Sequence, residues 1–427
     1  MSYFICNQCG YGSASWLGRC PNCGEFNTLK EQPAYAEATA GKEETKKLML
    51  TTFKKIQSLK KERLKTGIFE FDRVLGGGIV PGEVILLTGE PGVGKSTLLL
   101  QCLSKLKTVY VSGEEAGEQI KDRAERLKLK LENFLFSENL QIEGITEGLE
   151  DIKDKIDILV IDSIQTVYSK SVDGPPGSIS QLKESTMKLI ASAKKLKIGL
   201  LIVGHITKGG DIAGPKTLEH LVDCVLSFEG ERVSNFRLLR AAKNRFGPTD
   251  EIGIFEMKQQ GLVEITNPLV FLEHKENQEM GKAIVGVTEG KRSLFFEIQT
   301  LAVPTFLAIP RRVVKGLDYN KVLLLLAVVR KYLGQPLDKF DIYANVIGGV
   351  QIKSTASDLG LIASLLSSLK NLPLPKKSLF IGEVGLLGEV RKVYLQDKIL
   401  QEAKRLGFNK IYSSLNLPHI KLLKNIF

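Results

Sequence analysis

The stretch GEPGVGKST at residues 89–97 limits this chain to a small set of folds. It fits the pattern G-x-x-x-x-G-K-[ST], with the apolar run EVILLT before it and the apolar run LLLQCL after it. In a strand–loop–helix setting, the loop N–H groups and the helix N-terminus face a phosphate. We therefore predict a P-loop that binds ATP through Gly89, Glu90, Pro91, Gly92, Val93, Gly94, Lys95, Ser96 and Thr97. Lys95 is expected to bridge the β- and γ-phosphates, and Ser96 to coordinate Mg²⁺.

Short apolar strands alternate with helical patterns from Gly67 onward, which predicts an α/β fold with a largely parallel sheet. The last strands before residue 270 lack intervening helices and suggest an antiparallel edge. ATP hydrolysis also requires carboxylates at strand ends. Asp162 in DILVIDS is the candidate for the magnesium shell, and Glu114 or Glu115 in TVYVSGEEA is the candidate that orients water. A lone strand-end acid is also a common helix N-cap, so the order of these motifs carries the functional interpretation.

Four of the six cysteines lie within the first 23 residues, as Cys6-x2-Cys9 and Cys20-x2-Cys23. Each pair sits in a turn rich in Gly, Asn and Pro, which allows the sulfurs to converge on one cation. Four thiolates suit a closed, tetrahedral Zn²⁺ site of structural type. A redox dithiol is the alternative, but no thioredoxin-like strand precedes either pair.

The net charge of the chain indicates what kind of partner it could bind. The chain carries 59 Lys+Arg against 48 Asp+Glu, a formal net charge of +11, which favours nucleic acid as partner but also fits an ordinary basic protein. No apolar run approaches the roughly 18 residues that a membrane span needs, and the N-terminus does not resemble a signal peptide. We expect no membrane association and a cytoplasmic location.

Changes in composition and hydrophobic pattern divide the chain into four segments: a zinc knuckle at 1–30, a charged and partly helical linker at 31–65, an ATPase domain at 66–270 and a second domain at 271–427. The last segment combines paired strands near 282–303 with helical stretches, which predicts an α+β domain.

The stretch AAKNRFGPTD places Lys243 and Arg245 where an apolar strand runs into a turn. Two cations at a stiff strand exit are suited to reach an anion, either a nucleotide phosphate or DNA.

Taken in order, the four-Cys knuckle, GEPGVGKST, KNRFG and a C-terminal segment similar to the Lon protease domain resemble the RecA-like ATPases, and more closely the bacterial RadA/Sms DNA-repair family. The resemblance covers nearly the whole chain. It implies a RecA-like P-loop core with an N-terminal zinc ribbon and a C-terminal α+β Lon-like domain. It also implies a homo-oligomer, expected to be a hexameric ring, with ATP between subunits.

The resemblance also assigns roles to individual residues. Glu114 matches the RecA-type catalytic glutamate, and His205 occupies the position of a polar γ-phosphate sensor, although a buried structural histidine is the alternative. Lys243 and Arg245 would act in trans at the ATP of a neighbouring subunit, with DNA contact as the alternative. The predicted catalytic set is therefore Lys95, Glu114, Asp162, His205, Lys243 and Arg245.

Three regions are candidates for DNA contact: the loops that follow Asp162 and His205, and the cluster IPRRVVK. These loops lack aromatic residues for base stacking, so sequence-neutral backbone binding fits best. Solvated surface is the alternative for each residue. The candidate residues are Lys170, Lys183, Lys208, Lys216, Arg311 and Arg312, with Lys315 beside the last two.

The Lon-like segment raises a second hypothesis, an ATP-dependent Ser–Lys protease with Ser357 as nucleophile. The partner lysine should lie where the chain has Asp397, with Lys398 one residue on and turned by about 100° on a helix. We therefore expect an inactive domain.

The preferred interpretation is a DNA-dependent ATPase of DNA repair and recombination that translocates on single-stranded DNA and promotes branch migration. Its expected cofactors are ATP, Mg²⁺ and Zn²⁺, and its expected partners are branched DNA and a RecA-type recombinase. A regulatory ATPase that does not translocate is the third hypothesis.

Overall fold

The computed structural model describes residues 3–8, 11–32, 52, 62–205, 215–230, 235–272 and 279–427. Most of the predicted linker lies outside these residues, as do Cys9 and Lys208. The chain forms two compact units, Met1–Phe228 with Ala241–Pro248, and Glu229–Arg240 with Thr249–Phe427. Among the described helices, none is both long and apolar enough to cross a membrane.

The N-terminal residues form a small antiparallel sheet of three strands, in the order β2-β1-β3. The strands are β1 (Tyr3–Cys6), β2 (Gly12–Ser13) and β3 (Leu29–Gln32). The buried residues of this module are Cys6, Cys20 and Leu29, with Phe4 and Leu17 packed against them. So small an apolar core stabilises little by itself, which is typical of domains that rely on a metal.

The rest of the first unit is built on six parallel strands in the order β9-β4-β8-β7-β5-β6. They are β4 (Val84–Gly89), β5 (Thr108–Ser112), β6 (Phe134–Ser137), β7 (Ile158–Asp162), β8 (Gly199–His205) and β9 (Cys224–Glu229). Every residue of β4, β5 and β7 is buried, as expected where helices cover both faces of a parallel sheet.

The helices in the described part of this unit are α1 (Phe69–Val74), α2 (Lys95–Leu103), α3 (Gly117–Arg126), α4 (Ile142–Ile152), α5 (Ile179–Leu196) and α6 (Pro215–Leu218). Helix α5 shows why these segments are helical, because its buried Leu182, Leu189 and Ala193 recur at helical spacing on one face. Lys197 ends α5 in the left-handed conformation, with φ of 59°.

Three antiparallel strands begin the second unit: β10 (Phe236–Asn244), β11 (Ile252–Lys258) and β12 (Gly261–Glu264). The last four residues of β10 belong to the first unit. These strands lie where the absence of intervening helices had predicted antiparallel pairing.

A six-stranded mixed sheet in the order β15-β16-β14-β13-β17-β20 forms the centre of the second unit. Its strands are β13 (Lys282–Glu289), β14 (Arg292–Pro304), β15 (Arg312–Lys315), β16 (Phe340–Val346), β17 (Ser378–Ile381) and β20 (Lys410–Ser413), and β18 (Glu383–Val384) pairs with β19 (Val390–Arg391). The helices are α7 (Tyr319–Leu333), α8 (Asp358–Lys370) and α9 (Gln396–Arg405).

Helix α8 is the central helix of this unit, and its first eleven residues, Asp358 to Ser368, are all buried. It lies against β13 so closely that a Cβ on Gly360 would collide with Val285. The apolar run DLGLIASLL therefore forms a helix that is enclosed by protein, not one with a solvent-exposed face.

Candidate ATP site and its neighbours

The P-loop joins the end of β4 to the start of α2. Gly92 and Gly94 have φ of +78° and +109°, a region that favours glycine. A Cβ on Gly89 would collide with the carbonyl oxygen of Phe228. The glycines of the motif are therefore required by the backbone path itself, and α2 begins directly at Lys95.

Lys95 is buried beneath this loop. Its Nζ donates to the carbonyl oxygens of Gly89 and Glu90 at 2.9 and 3.1 Å, and lies 3.2 Å from His205 Nδ1. Desolvation lowers the pKa of this ammonium, and the carboxylates of Asp162 and Glu114 act in the opposite direction. The loop thus holds a partly desolvated cation, which an anionic phosphate would stabilise.

Ser96, Asp162 and Tyr110 form a second contact group. Asp162 Oδ2 accepts hydrogen bonds from Ser96 Oγ at 2.8 Å and from the Tyr110 hydroxyl at 2.5 Å. Burial raises the pKa of Asp162, and the two hydrogen bonds lower it. A serine hydroxyl beside a carboxylate at the foot of a P-loop fits the oxygen ligands that Mg²⁺ prefers. These donors are therefore suited to a magnesium shell.

Glu114 and His205 meet at the same edge of the sheet. Glu114 Oε1 accepts from Ser163 Oγ at 2.5 Å and lies 2.8 Å from His205 Nε2. The Lys95 ammonium can only donate, so His205 Nδ1 accepts from it and Nε2 carries the proton that is donated to Glu114. A continuous hydrogen-bond chain, Lys95–His205–Glu114–Ser163, follows from this geometry.

Strand register explains why these residues converge. Gly89 on β4 is level with His205 on β8, and Ser112 on β5 is level with Asp162 on β7. The carboxyl ends of neighbouring parallel strands share one edge of a sheet, where α/β proteins bind ligands. One ligand atom each from Glu114, Asp162 and His205 lies within 4.8 Å of the others.

The adjacent Glu115 points elsewhere. Its carboxylate pairs with Arg123 on α3 at 2.7 Å, and its N–H donates to Ser112 Oγ. Of the two glutamates that the sequence left open, Glu114 is the one that contacts His205 and Ser163.

Two residues of this site were missed from the sequence. Ser163 directly follows Asp162 and offers a second polar group at the end of a buried strand, which was a usable signal. Tyr110 lies inside the apolar strand β5, and nothing in its spacing distinguishes it from a core tyrosine.

Lys243 and Arg245 differ in their surroundings. Lys243 Nζ donates to the carbonyl oxygens of Glu219 and Val222 at 2.7 and 2.8 Å, in the turn after α6. The guanidinium of Arg245 lies 3.5 Å from Asp223 Oδ1, and its side chain is 58% exposed. Within this chain, therefore, Lys243 is held by carbonyls and Arg245 faces outward.

The candidate DNA-contact residues are also unequal. Lys170, Lys183 and Arg311 are exposed. The Arg312 guanidinium instead donates to the carbonyls of Arg311, Leu337 and Phe340, and partial burial lowers its pKa. The side chain of Lys216, on α6, is outside the described atoms, as is all of Lys208. Arg312 thus contributes to local stability, and its contact with DNA stays a prediction.

The N-terminal module brings three thiols together. The sulfur atoms of Cys6, Cys20 and Cys23 lie within 4.8 Å of one another, and Cys6 Sγ is 3.7 Å from Cys23 Sγ. Tetrahedral zinc with Zn–S bonds of about 2.3 Å requires sulfurs about 3.8 Å apart, so these residues fit Zn²⁺. The fourth predicted ligand, Cys9, is outside the described residues. Cys224 differs, because burial raises the pKa of its thiol and it lies in the core.

Ser357 precedes α8 and is buried, with its hydroxyl donating to the carbonyl of Ser354 at 3.0 Å. The neighbouring Asp358 pairs with Lys321 at 2.9 Å. Asp397 pairs with the exposed Lys392, and Lys398 Nζ donates to the carbonyl oxygen of Lys291. Both residues weighed as the protease partner, Asp397 and Lys398, thus have other partners in this unit.

The P-loop strand β4 lies between β8 and β9, with Asp162 at the end of β7 and Glu114 just after β5 at the same edge of the sheet. This arrangement, preceded by a thiol-rich ribbon, defines a RecA/KaiC-like ATPase with an N-terminal zinc ribbon. Residues 64–269 match the family model of the KaiC ATPase, and residues 4–31 match that of the rubredoxin metal binding domain. The RecA/KaiC-like ATPase domain implies ATP hydrolysis.

Relatives extend the likeness to the whole chain. The chain is 44% identical over 421 residues to the DNA repair protein RadA of Listeria monocytogenes, an alignment that spans 97% of this chain and 92% of the relative. It is 43% identical over 422 residues to the DNA repair protein RadA of Bacillus subtilis, covering 96% and 92%. The chain therefore belongs to the RadA family of DNA repair proteins. Among solved structures, the RadB recombinase matches 47% of this chain and 99% of its own, at 24% identity and a TM-score of 0.38.

Proposed function

We propose that the protein is a DNA-stimulated ATPase that translocates on single-stranded DNA and promotes branch migration of recombination intermediates. Hydrolysis would take place between the subunits of a homo-oligomeric ring, of hexameric form by resemblance to its family. A recombinase of the RecA type would be the partner that generates its substrates.

The observation that carries this proposal is the hydrogen-bond chain from Lys95 through His205 to Glu114. A phosphate bound to Lys95 would compete with His205 Nδ1 for the hydrogen bond that the Lys95 ammonium donates. Phosphate binding would therefore alter the contacts of His205. His205 is the last residue of β8 and directly precedes the segment 206–214, one of the two candidate DNA loops. A change at the nucleotide thus has a short covalent route to a DNA-binding segment.

Each residue of the site has a chemical role in hydrolysis. Lys95 would bind the phosphate oxygens, while Ser96 and Asp162 would hold Mg²⁺, which supplies positive charge against the β- and γ-phosphates. Glu114 would accept a proton from the attacking water. Ser163 and His205 hold its Oε1 in place, so the carboxylate would already be oriented when nucleotide binds.

Arg245 is the better candidate for action in trans. Its exposed guanidinium could reach an anion on a neighbouring subunit, whereas Lys243 would first have to leave three backbone carbonyl oxygens, those of Glu219, His220 and Val222. An arginine supplied by a neighbour stabilises the negative charge that develops during phosphoryl transfer. DNA remains the alternative ligand of this turn.

DNA contact is proposed for Lys170, in the loop after β7, for Lys183, near the start of α5, and for Arg311 in the second unit. Lysines spaced along such loops bind phosphates without reading sequence, as a translocating protein requires. Lys208 and the side chain of Lys216 lie outside the described atoms, so their contact with DNA stays a prediction.

The Ser–Lys protease alternative is not favoured. The Ser357 hydroxyl donates to a backbone carbonyl, and the adjacent Asp358 already engages Lys321. A nucleophilic serine instead needs a base within hydrogen-bond reach of its own oxygen. We propose that the C-terminal domain is an inactive, Lon-like scaffold.

The test is steady-state ATP hydrolysis with and without single-stranded DNA at one moderate salt concentration. We expect several-fold stimulation by DNA, and loss of hydrolysis in Lys95→Ala and Asp162→Asn. Unchanged hydrolysis in either variant would remove the assigned site. Absence of stimulation at a salt concentration where DNA binds would leave the assignment of ATP hydrolysis standing but contradict translocation on DNA. That result would favour a regulatory ATPase.

A further inference from the structure

We propose that Arg63 is a positioning residue for Arg245: it fixes the turn that presents the Arg245 guanidinium to the neighbouring subunit. The inference rests on the proposed trans role of Arg245. Arg63 lies near the end of the charged linker that the sequence predicts at residues 31–65, and no sequence motif draws attention to it.

Arg63 ties together segments that are distant in sequence. One guanidinium nitrogen donates to the carbonyl oxygens of Leu75 and Gly78 at 3.1 and 3.0 Å, and the other donates to Phe246 at 2.5 Å. Phe246 directly follows Arg245 and is 183 residues away from Arg63 along the chain. The planar fork of an arginine suits several carbonyls in different directions, which a lysine ammonium cannot match with the same rigidity.

The backbone of Arg63 is itself pinned. Its neighbour Leu64 exchanges two backbone hydrogen bonds with Ile79, at 2.8 and 2.9 Å. Gly78, with φ of +119°, passes so close that a Cβ would lie 2.6 Å from the Leu64 carbonyl oxygen. The guanidinium therefore extends from a fixed base and can act as a brace.

The turn that contains Arg245 also makes contacts of its own with the segment whose carbonyl groups Arg63 binds. Asn244 Nδ2 donates to the carbonyl oxygen of Val74 at 3.4 Å, and Asn244 Oδ1 accepts from the N–H of Phe246 at 2.9 Å. A Cβ on Gly247 would lie 2.8 Å from the Leu75 carbonyl oxygen, so only glycine allows this approach. Two residues of the motif, Asn244 and Gly247, thus contact residues 74–76.

Arg245 itself has few restraints on its side chain. Its N–H donates to the carbonyl oxygen of Asp223 at 3.0 Å, while its guanidinium is mostly exposed. The direction in which the guanidinium extends is therefore set by the backbone of the turn. Arg63 is the side chain that fastens this backbone from outside the motif.

Subunit mixing tests this role, because a defect in Arg245 presentation and a defect in the P-loop lie on opposite sides of one interface. Arg63→Ala alone is expected to lower kcat at least tenfold with little change in KM for ATP, since its own P-loop is intact. When Arg63→Ala and Lys95→Ala chains are mixed at equal amounts, an intact P-loop meets an intact turn at about one quarter of randomly formed head-to-tail interfaces. We expect activity to recover toward that fraction of the wild-type rate.

The control mixture pairs Arg245→Ala with Lys95→Ala, and the control variant is Lys65→Ala, which removes an exposed cation two residues away. Recovery with Arg245→Ala but not with Arg63→Ala would overturn the role of Arg63 and leave the proposed function standing. Recovery with neither would overturn both the trans role of Arg245 and this inference. Wild-type ATPase activity of the Arg63→Ala protein by itself would also overturn the proposed role of Arg63.

Arg63→Lys covers the case in which the alanine variant does not fold. It keeps the charge but not the fork, so we expect a lowered kcat. Where that kcat lies below about one third of the wild-type value, mixing with Lys95→Ala should raise the rate in the same way. A kcat equal to the wild type in a folded Arg63→Lys protein, together with an unfolded Arg63→Ala protein, would assign Arg63 to stability alone.

Discussion

At the scale of single residues, Asp162 shows how burial and hydrogen bonding oppose each other in one carboxyl group. Burial raises its pKa, while Tyr110 and Ser96 donate hydrogen bonds that favour the ionised form. A carboxyl group that must bind a cation has to be ionised, so these donors help keep it competent at neutral pH. Tyr110 in turn is buried, and its pKa is raised well above the usual tyrosine value, so it remains a donor.

Tyr110→Phe is expected to weaken magnesium binding and so to raise the Mg²⁺ concentration that hydrolysis requires. Losing the hydrogen bond raises the pKa of Asp162 further, so the acid limb of the pH–rate profile moves to higher pH and more Mg²⁺ is needed for half-maximal rate. Titrating Mg²⁺ at several pH values measures both effects, with Tyr412→Phe in the second unit as control. An unchanged profile would mean that Tyr110 does not influence Asp162.

Glu83, directly before β4, makes the free energy of unfolding depend on pH. It is fully buried, and its Oε2 accepts from the Val80 N–H, whereas Oε1 has no hydrogen-bond partner among the described residues. Burial raises the pKa of Glu83 from 4.5 to about 7. The folded state therefore holds this proton more tightly than the unfolded state. Its contribution to stability is full below pH 4.5 and is lost as pH rises through 7.

Glu83→Gln should remove this pH dependence. Above pH 7 the variant is expected to be more stable than the wild type by up to about 3 kcal/mol, since each pKa unit corresponds to 1.36 kcal/mol. At pH 4 the two proteins should be similar. Urea unfolding at pH 4 and pH 8 measures the difference, with the exposed Glu132→Gln as control; equal effects at both pH values would contradict the assignment.

At the scale of elements, the loop between β7 and α5 is held in shape by one side chain of the helix. Gln181 is buried, and its amide oxygen accepts from the N–H of Ser169 at 2.8 Å. Its Nε2 lies within hydrogen-bond distance of the carbonyl oxygens of Ser169, Val172 and Gly174, at 3.0, 2.6 and 3.4 Å. A loop that appears flexible from its Gly, Pro and Ser content is therefore ordered along this part.

Gln181→Ala should uncouple this loop from DNA. We expect the unfolding free energy to fall by about 1–3 kcal/mol, because buried backbone groups lose their partners. The DNA-stimulated ATPase rate should fall toward the rate without DNA, while the rate without DNA stays near the wild-type value. Met187→Ala, exposed on the same helix, is the matched control, and retained stimulation in Gln181→Ala would show that loop order is not needed.

At the scale of the whole molecule, the N-terminal ribbon and the ATPase core are stabilised by different means. The core buries complete strands, whereas the ribbon buries few apolar residues and gathers thiols. A module of that size gains much of its folding free energy from the metal. Zinc and nucleotide should therefore affect separate parts of the protein.

Cys20→Ser should release the zinc without abolishing ATP hydrolysis. We expect one Zn²⁺ per wild-type chain, close to none in the variant, and new protease cleavage within residues 1–32. Cys102→Ala, which alters a buried thiol of the core, should keep its zinc. Metal analysis and limited proteolysis measure these outcomes, and an unchanged zinc content in Cys20→Ser would contradict the ribbon site.

The sequence by itself determined the class of this protein, because its most specific signals are local. A P-loop, paired CxxC motifs and a strand-end Asp162 are short patterns whose chemistry follows from spacing, and hydrophobic periodicity predicts the strands on which they lie. A zinc ribbon, an α/β ATPase core and a C-terminal α+β domain could therefore all be predicted before any coordinates, and the family resemblance added that the core is RecA-like.

Only the tertiary structure decided which side chains meet. The choice between Glu114 and Glu115, the bond from Tyr110 to Asp162, and the brace from Arg63 to Phe246 each depend on where a side chain points across a packed interface. The same holds for Lys243 and Arg245, two similar cations of one motif of which one is enclosed by carbonyls and the other exposed. Local pattern does not encode these differences, because most of the contacts join groups far apart in sequence. Tyr110 and Asp162 are separated by 52 positions, Glu114 and His205 by 91, and Arg63 and Phe246 by 183.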